Sequence, residues 1–196
     1  MSYVVLDIGA GSRLFGSHLA GLNHHTKMLV LCGEPGWGIG PFFRPISTEK
    51  ALRLMGRGAT GVKRIVAEYE NFGLPDSCLD LVTLNAPHPL MPSYVASELT
   101  RCIKSGGLFF SSFPKYDFGN VNEDFCLVAE GRWRHDARSV CIPDAVLPNG
   151  RPVCFPQSPT VRSNIMEHAF GNPRSRGSGY IYFDGISPGW RVWRKK

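Results

Sequence analysis

The residues best able to do chemistry in this sequence stand just after its apolar runs. Asp7-Ile8-Gly9-Ala10-Gly11 closes the run that begins at Tyr3, and Ser12 follows in a position to cap a helix. Glycines there let a ligand approach the backbone, and the N–H groups of the turn and helix start can hold a charged or phosphorylated cofactor moiety. Two carboxylates follow later apolar runs: Glu34 after residues 28–32 and Glu68 after residues 63–67. A carboxylate in such a place accepts charge-assisted hydrogen bonds from neutral donors. A fourth run, residues 79–84, leads into Asn85-Ala86-Pro87-His88, and histidine is the side chain whose proton affinity lies near neutrality. Gly36, Gly38 and Gly40 look like a second cradle, but Pro41 and Pro45 prevent a helix from opening there, so they read as loop. His24, His25 and the cysteines lack metal-ligand spacing, and no metal site is expected.

The elements that must position these residues alternate. Residues 3–8 read as a buried parallel strand, with a helix after Ser12 carrying Leu14, Phe15, Leu19 and Leu22 on one stripe and a second strand over 28–32. Ser47 or Thr48 caps a helix over 49–55, a third strand fits 63–67 and a fourth 79–84. Ser93 caps a helix to Ile103, and Gly106-Gly107 closes it before a strand over 108–112. This order predicts an α/β fold with a parallel sheet covered on both faces. After Phe113 the alternation stops. A short helix fits 124–130 and a strand 139–142, and residues 180–183 and 190–193 flank Asp184-Gly185 as a hairpin.

Taken together, the segments Val4-Val5-Leu6-Asp7-Ile8-Gly9-Ala10-Gly11-Ser12, Ala67-Glu68-Tyr69 through Leu74-Pro75-Asp76-Ser77 to Asp80-Leu81-Val82, and Glu98 to Phe109 with Gly106-Gly107 resemble the class I S-adenosylmethionine-dependent methyltransferases, especially the small type 11 domains. The resemblance spans residues 3 to about 113. It implies a Rossmann-like three-layer sandwich whose mostly parallel seven-stranded sheet ends in an antiparallel C-terminal hairpin. It also implies S-adenosyl-L-methionine as cofactor. Asp7, Gly9 and Gly11 would then meet its amino-acid end, Glu34 the ribose hydroxyls and Glu68, with Tyr69 beside it, the adenine; counting from Asp7 leaves Cys32 as the alternative at the ribose. Asn85 and His88 fall where relatives place acceptor-side residues, with His88 as the candidate base. Arg13 replaces the family's usual third glycine, and its cation would either pair with the cofactor carboxylate or oppose the sulfonium. Together with the missing N-terminal helix, it leaves open a degenerate fold serving as a cofactor-sensing or protein-interaction module.

The 196 residues suit one domain with a continuous core: a cofactor-binding half over 1–113, an irregular acceptor or lid region over 114–178 and a hairpin over 179–196. Without a basic and apolar leader or a long apolar run, the chain is expected in the cytosol and off the membrane. Its six cysteines are therefore expected to be free thiols. The net charge of +6 arises wholly after Gly131, where 11 Lys and Arg face 4 Asp and Glu. If the unidentified acceptor is anionic, residues from Arg132 onward are expected to hold it. The basic and aromatic C-terminus, Trp190 to Lys196, fits an edge strand with a solubilising tail better than a nucleic-acid binder.

Overall fold

A computed structural model describes residues 1–9, 14–36, 44–84, 94–112, 121–133, 137–157 and 189–196. Strand β1 (Tyr3–Ile8) is buried at every position, and its only ionisable carboxylate is Asp7. Helix α1 (Leu14–Leu22) leads to β2 (Met28–Glu34), and α2 (Thr48–Gly56) leads to β3 (Gly61–Val66). Ser47 caps α2, its Oγ accepting the Lys50 N–H at 3.2 Å. Next come β4 (Leu79–Leu84), α3 (Tyr94–Cys102) and β5 (Ile103–Ser111). Strand β5 starts directly from α3, so Gly106-Gly107 lies inside the strand; Gly106 takes a φ of 77° there.

Seven strands form one sheet in the order β3-β2-β1-β4-β5-β9-β6, where β6 is Phe125–Arg132 and β9 is Gly189–Lys195. The first five are parallel, and β9 runs antiparallel to both of its neighbours. This is the expected Rossmann-like sheet, and its winding reverses between β1 and β4. The segment expected to be a helix over 124–130 is corrected: only Val121–Asp124 is helical (α4), and the chain then pairs with β9 from Phe125. Leu, Ala and Glu in that stretch suit a helix, but a free edge of β9 outweighs local propensity. The antiparallel C-terminal pair is thus β6 with β9. Residues 191–193 have β5 on one side and β6 on the other, while residues 180–183 lie outside the described residues.

Alternation along the strands sorts the core onto two faces. Val4, Leu6, Ile8, Leu29 and Leu31 pack with Ala51 of α2 and with Val95 and Leu99 of α3. Val5, Val30, Leu81 and Phe110 face Phe15 and Leu19 of α1 and also a small second sheet, β7 (Ser139–Val146) paired antiparallel with β8 (Pro152–Pro156). Phe155 of β8 stacks on Phe110 with centroids 4.1 Å apart. This pair shares the α1 layer, and it corrects the expectation of six free thiols: Cys141 and Cys154, opposite each other in the ladder, form a disulfide. Cys32 and Cys102 are buried thiols, Cys78 is half-buried and Cys126 exposed. No helix among the described residues is long and apolar enough to cross a membrane.

Candidate functional site

The carboxyl ends of β1, β2 and β3 lie side by side next to the reversal point, where open α/β sheets leave a crevice for ligands. Strand β1 ends at Gly9, whose φ of 67° is the left-handed conformation that glycine adopts without strain. Its N–H donates to the Gly33 carbonyl at 2.9 Å, and a side chain built on Gly9 would meet the Tyr69 hydroxyl at 3.5 Å. Gly9 and Tyr69 are therefore brought together.

Asp7 lies two residues inside the strand, fully buried beneath α1. Its Oδ1 accepts the Thr83 hydroxyl at 2.7 Å across the reversal point, while Oδ2 has no hydrogen-bond partner within bonding distance among the described residues. Burial pushes the Asp7 carboxyl up to about 7; the Thr83 bond opposes this, and the nearby charge of Glu34 adds to it. Gly16 is what admits this arrangement: a Cβ there would lie 2.8 Å from Cys32 Sγ, 3.0 Å from Val30 Cγ1 and 3.5 Å from Asp7 Oδ2.

Glu34 is the last residue of β2 and is buried, its carbonyl accepting the Ala67 N–H at 3.0 Å. Cys32, the alternative at this strand, faces α1 inside the helix–sheet packing. Glu68, half-buried beyond β3, accepts the Gly36 N–H on Oε1 at 2.7 Å, so its carboxylate spans from the end of β3 to the chain leaving β2. A Cβ on Gly36 would stand 2.9 Å from that oxygen, so any larger residue there would displace the Glu68 carboxylate from its present place. The segment after Glu68 is pinned to α3: Glu98 accepts the Phe72 N–H at 2.8 Å, and Arg101 bonds Glu98, Asp76 and the Leu74 carbonyl.

Gly11, Arg13, Asn85 and His88 lie outside the described residues. Thr83 and Gly16 were not singled out by sequence, and Gly36 was read there as loop. Gly36 carried a visible signal as the first of a glycine series, whereas Thr83 and Gly16 act through contacts between elements. Among the described residues no group of three His, Cys, Asp or Glu is placed to hold a metal ion. The basic C-terminus is engaged elsewhere: Arg191 pairs with Glu130 at 2.9 Å, Arg194 donates to the Asp144 carbonyl and Lys195 to the carbonyls of Thr100 and Ile103.

No family model and no curated protein matches the sequence. Solved structures do match. A protein from Pyrococcus horikoshii is 15% identical over 100% of this chain and 83% of its own, with a TM-score of 0.42. The antibiotic-resistance methyltransferase Kmr is 23% identical over 56% of this chain and 57% of its own, at 0.37. Phosphoethanolamine N-methyltransferase 2 of Haemonchus contortus, in complex with S-adenosyl-L-methionine, is 18% identical over 57% of this chain and 24% of its own, at 0.40. In two of the matching structures the chain spans about half of their length, 48% and 57%. Likeness at this level concerns the fold alone.

Proposed function

We propose that the chain is an S-adenosyl-L-methionine-dependent methyltransferase of the class I, type 11 kind. The observation that carries the reading is the row of three neighbouring strand ends: a left-handed Gly9 after β1, a buried carboxylate at Glu34 closing β2, and the Glu68 carboxylate oriented by the Gly36 N–H after β3. Such a row offers close backbone approach and two hydrogen-bond acceptors on successive strands, which fits a cofactor with a charged end, a diol and an exocyclic amine. In this proposal Gly9 and Gly11 cradle the amino-acid end, with Asp7 beneath them. Glu34 takes the ribose hydroxyls, and Glu68 with Tyr69 takes the adenine.

When bound, the cofactor supplies a methyl group on a positively charged sulfur. The protein's own task is to align the acceptor for in-line displacement and to remove its proton. We assign that task to Asn85, as the group that orients the acceptor, and to His88, whose imidazole nitrogen takes the proton. The acceptor is unidentified; if it is anionic, basic residues from Arg132 onward that are not tied up as Arg191, Arg194 and Lys195 are would hold it. The proposal includes a cytosolic setting, in which the exposed Cys141 and its partner Cys154 are open to thiol exchange.

Calorimetric titration of S-adenosylhomocysteine into the folded chain tests this reading. Micromolar affinity is expected. Glu68→Ala is expected to weaken it about 10- to 100-fold, the value of ~1.5–3 kcal/mol for a hydrogen bond to a charged group. Gly9→Arg should abolish it. A folded wild type that binds neither S-adenosylhomocysteine nor S-adenosylmethionine would instead favour the interaction module. Unaltered affinity in both variants would remove these residues from the site.

A further inference from the structure

The layer that holds α1 carries a second concavity, away from the strand ends. It is a cleft of about 650 Å³ between the outer side of α1 and the end of β8, lined by Ser17, His18 and Leu22 from the helix and by Arg138, Pro156 and Gln157 from the small sheet. That volume is in the range of small-molecule sites, ~300–1,000 Å³.

Its walls are firmly built. Asn23, buried at the end of α1, donates its Nδ2–H to the Cys154 carbonyl at 2.8 Å and accepts the Cys154 N–H on Oδ1 at 3.0 Å. One side chain thus bonds the outer edge of β8 as a neighbouring strand would. On the other edge the Cys141–Cys154 disulfide ties β8 to β7, and the Gln157 N–H continues the ladder to the Arg138 carbonyl at 2.9 Å. Phe155, stacked on Phe110, fixes the whole pair to the main sheet. A cleft held this way needs little ordering when a ligand enters.

Among the described residues its charge is one-sided. Arg138 and His18 are exposed, and neither side chain has a hydrogen bond or ion pair among the described residues. No carboxylate is among the described lining residues, and Leu22 with Pro156 gives an apolar wall. A planar guanidinium that no described residue engages is suited to grip a carboxylate, sulfonate or phosphate through two parallel hydrogen bonds.

We infer that this cleft binds a small organic anion, with the anionic group on Arg138 and within reach of His18 and Ser17, and an apolar body lying along Leu22 and Pro156. The site stands on its own residues and does not depend on the proposed methyl transfer.

The test uses the full, oxidised chain and 8-anilinonaphthalene-1-sulfonate, an aromatic sulfonate whose fluorescence reports binding. Saturable binding at one site is expected. Arg138→Glu should weaken it at least tenfold, and His18→Ala severalfold. Arg191→Glu, a charge reversal of equal size on β9, should leave it unchanged. Circular dichroism and melting of Arg138→Glu establish that the variant is folded, and Arg138→Lys, which keeps the charge but loses the fork, should fall between it and the wild type. Excess S-adenosylhomocysteine should not displace the dye, whether or not it binds at the strand ends, so failure of the methyltransferase reading leaves this test intact. Equal affinity in Arg138→Glu and wild type, or competitive displacement of the dye by S-adenosylhomocysteine, would overturn the inference.

Discussion

Asp7 joins the proposed site at the strand ends to the stability of the fold. Its carboxyl is fully buried, holds one hydrogen bond from Thr83 at 2.7 Å and faces Gly16, Cys32 and Glu34 on the packed elements around it. Burial raises its pKa from 3.8 to about 7, so between those values the folded chain holds a proton that the unfolded chain has released. The sign follows: the contribution of Asp7 to stability is greatest below about pH 4, declines as the pH rises to about 7 and is flat above. Asp7→Asn keeps the shape and can keep the Thr83 bond, but it does not titrate. Urea denaturation of both proteins from pH 5 to pH 8 should therefore show the variant gaining on the wild type as the pH rises; parallel curves would mean that Asp7 titrates as an exposed carboxylate does. At this scale, Asp7, Gly9, Glu34 and Glu68 could be named as candidates from the sequence because residue type and strand-end position mark them. Thr83 and Gly16 were not, because a threonine in a strand and a glycine in a helix acquire meaning only from what the fold sets opposite them.

Between elements, α1 packs closely on the sheet. Helix propensity alone predicts that Gly16→Ala stabilises α1 by about 1 kcal/mol. The packing predicts the reverse, because the added Cβ would stand 2.8 Å from Cys32 Sγ and 3.0 Å from Val30 Cγ1, both in the core. Overpacking of this kind costs about 1–3 kcal/mol, enough to cancel or exceed the propensity gain, and we expect a net loss of about 1 kcal/mol in urea denaturation. Cys32→Ala removes the closest obstacle, so the double variant should be more stable than the two single effects sum to. A stabilised Gly16→Ala would show that α1 has room to move outward. The elements up to β5 were largely readable because apolar runs and caps agree there, Ser47 at the start of α2 being one case, although Gly106-Gly107, expected to precede β5, lies inside it. Beyond Phe113 the signals conflict. Strand β6 carries helix-forming residues but is captured by the edge of β9, and β8 is bracketed by Pro152 and Pro156, which hid both the strand and the half-cystine within it.

For the molecule as a whole, the decisive event is the return of residues 189–195 to an interior position beside the edge strand of the sheet. Strand β9 inserts between β5 and β6, and Trp193 stacks on Phe109 with centroids 5.1 Å apart while Val192 faces the opposite core. Lys195 meanwhile donates to Ile103 O at 2.7 Å and to Thr100 O, satisfying carbonyls at the end of α3. Much of the C-terminal positive charge that looked available for an anionic partner is thus used in closing the structure. Trp193 is only 6% exposed, and Trp193→Ala should cost about 3–5 kcal/mol, a large share of the ~5–15 kcal/mol that holds an ordinary protein folded. Its urea midpoint should fall while the slope of the transition stays the same, since the surface exposed on unfolding is nearly unchanged. Gly9, Glu34 and Glu68 stand on β1, β2 and the end of β3, with β4 and β5 between them and β9. S-adenosylhomocysteine affinity, measured in buffer where the variant is folded, should therefore match the wild type. Weakened affinity in the folded variant would mean that closure of the sheet is felt at the far strand ends, and that the two halves of the molecule act as one mechanical unit.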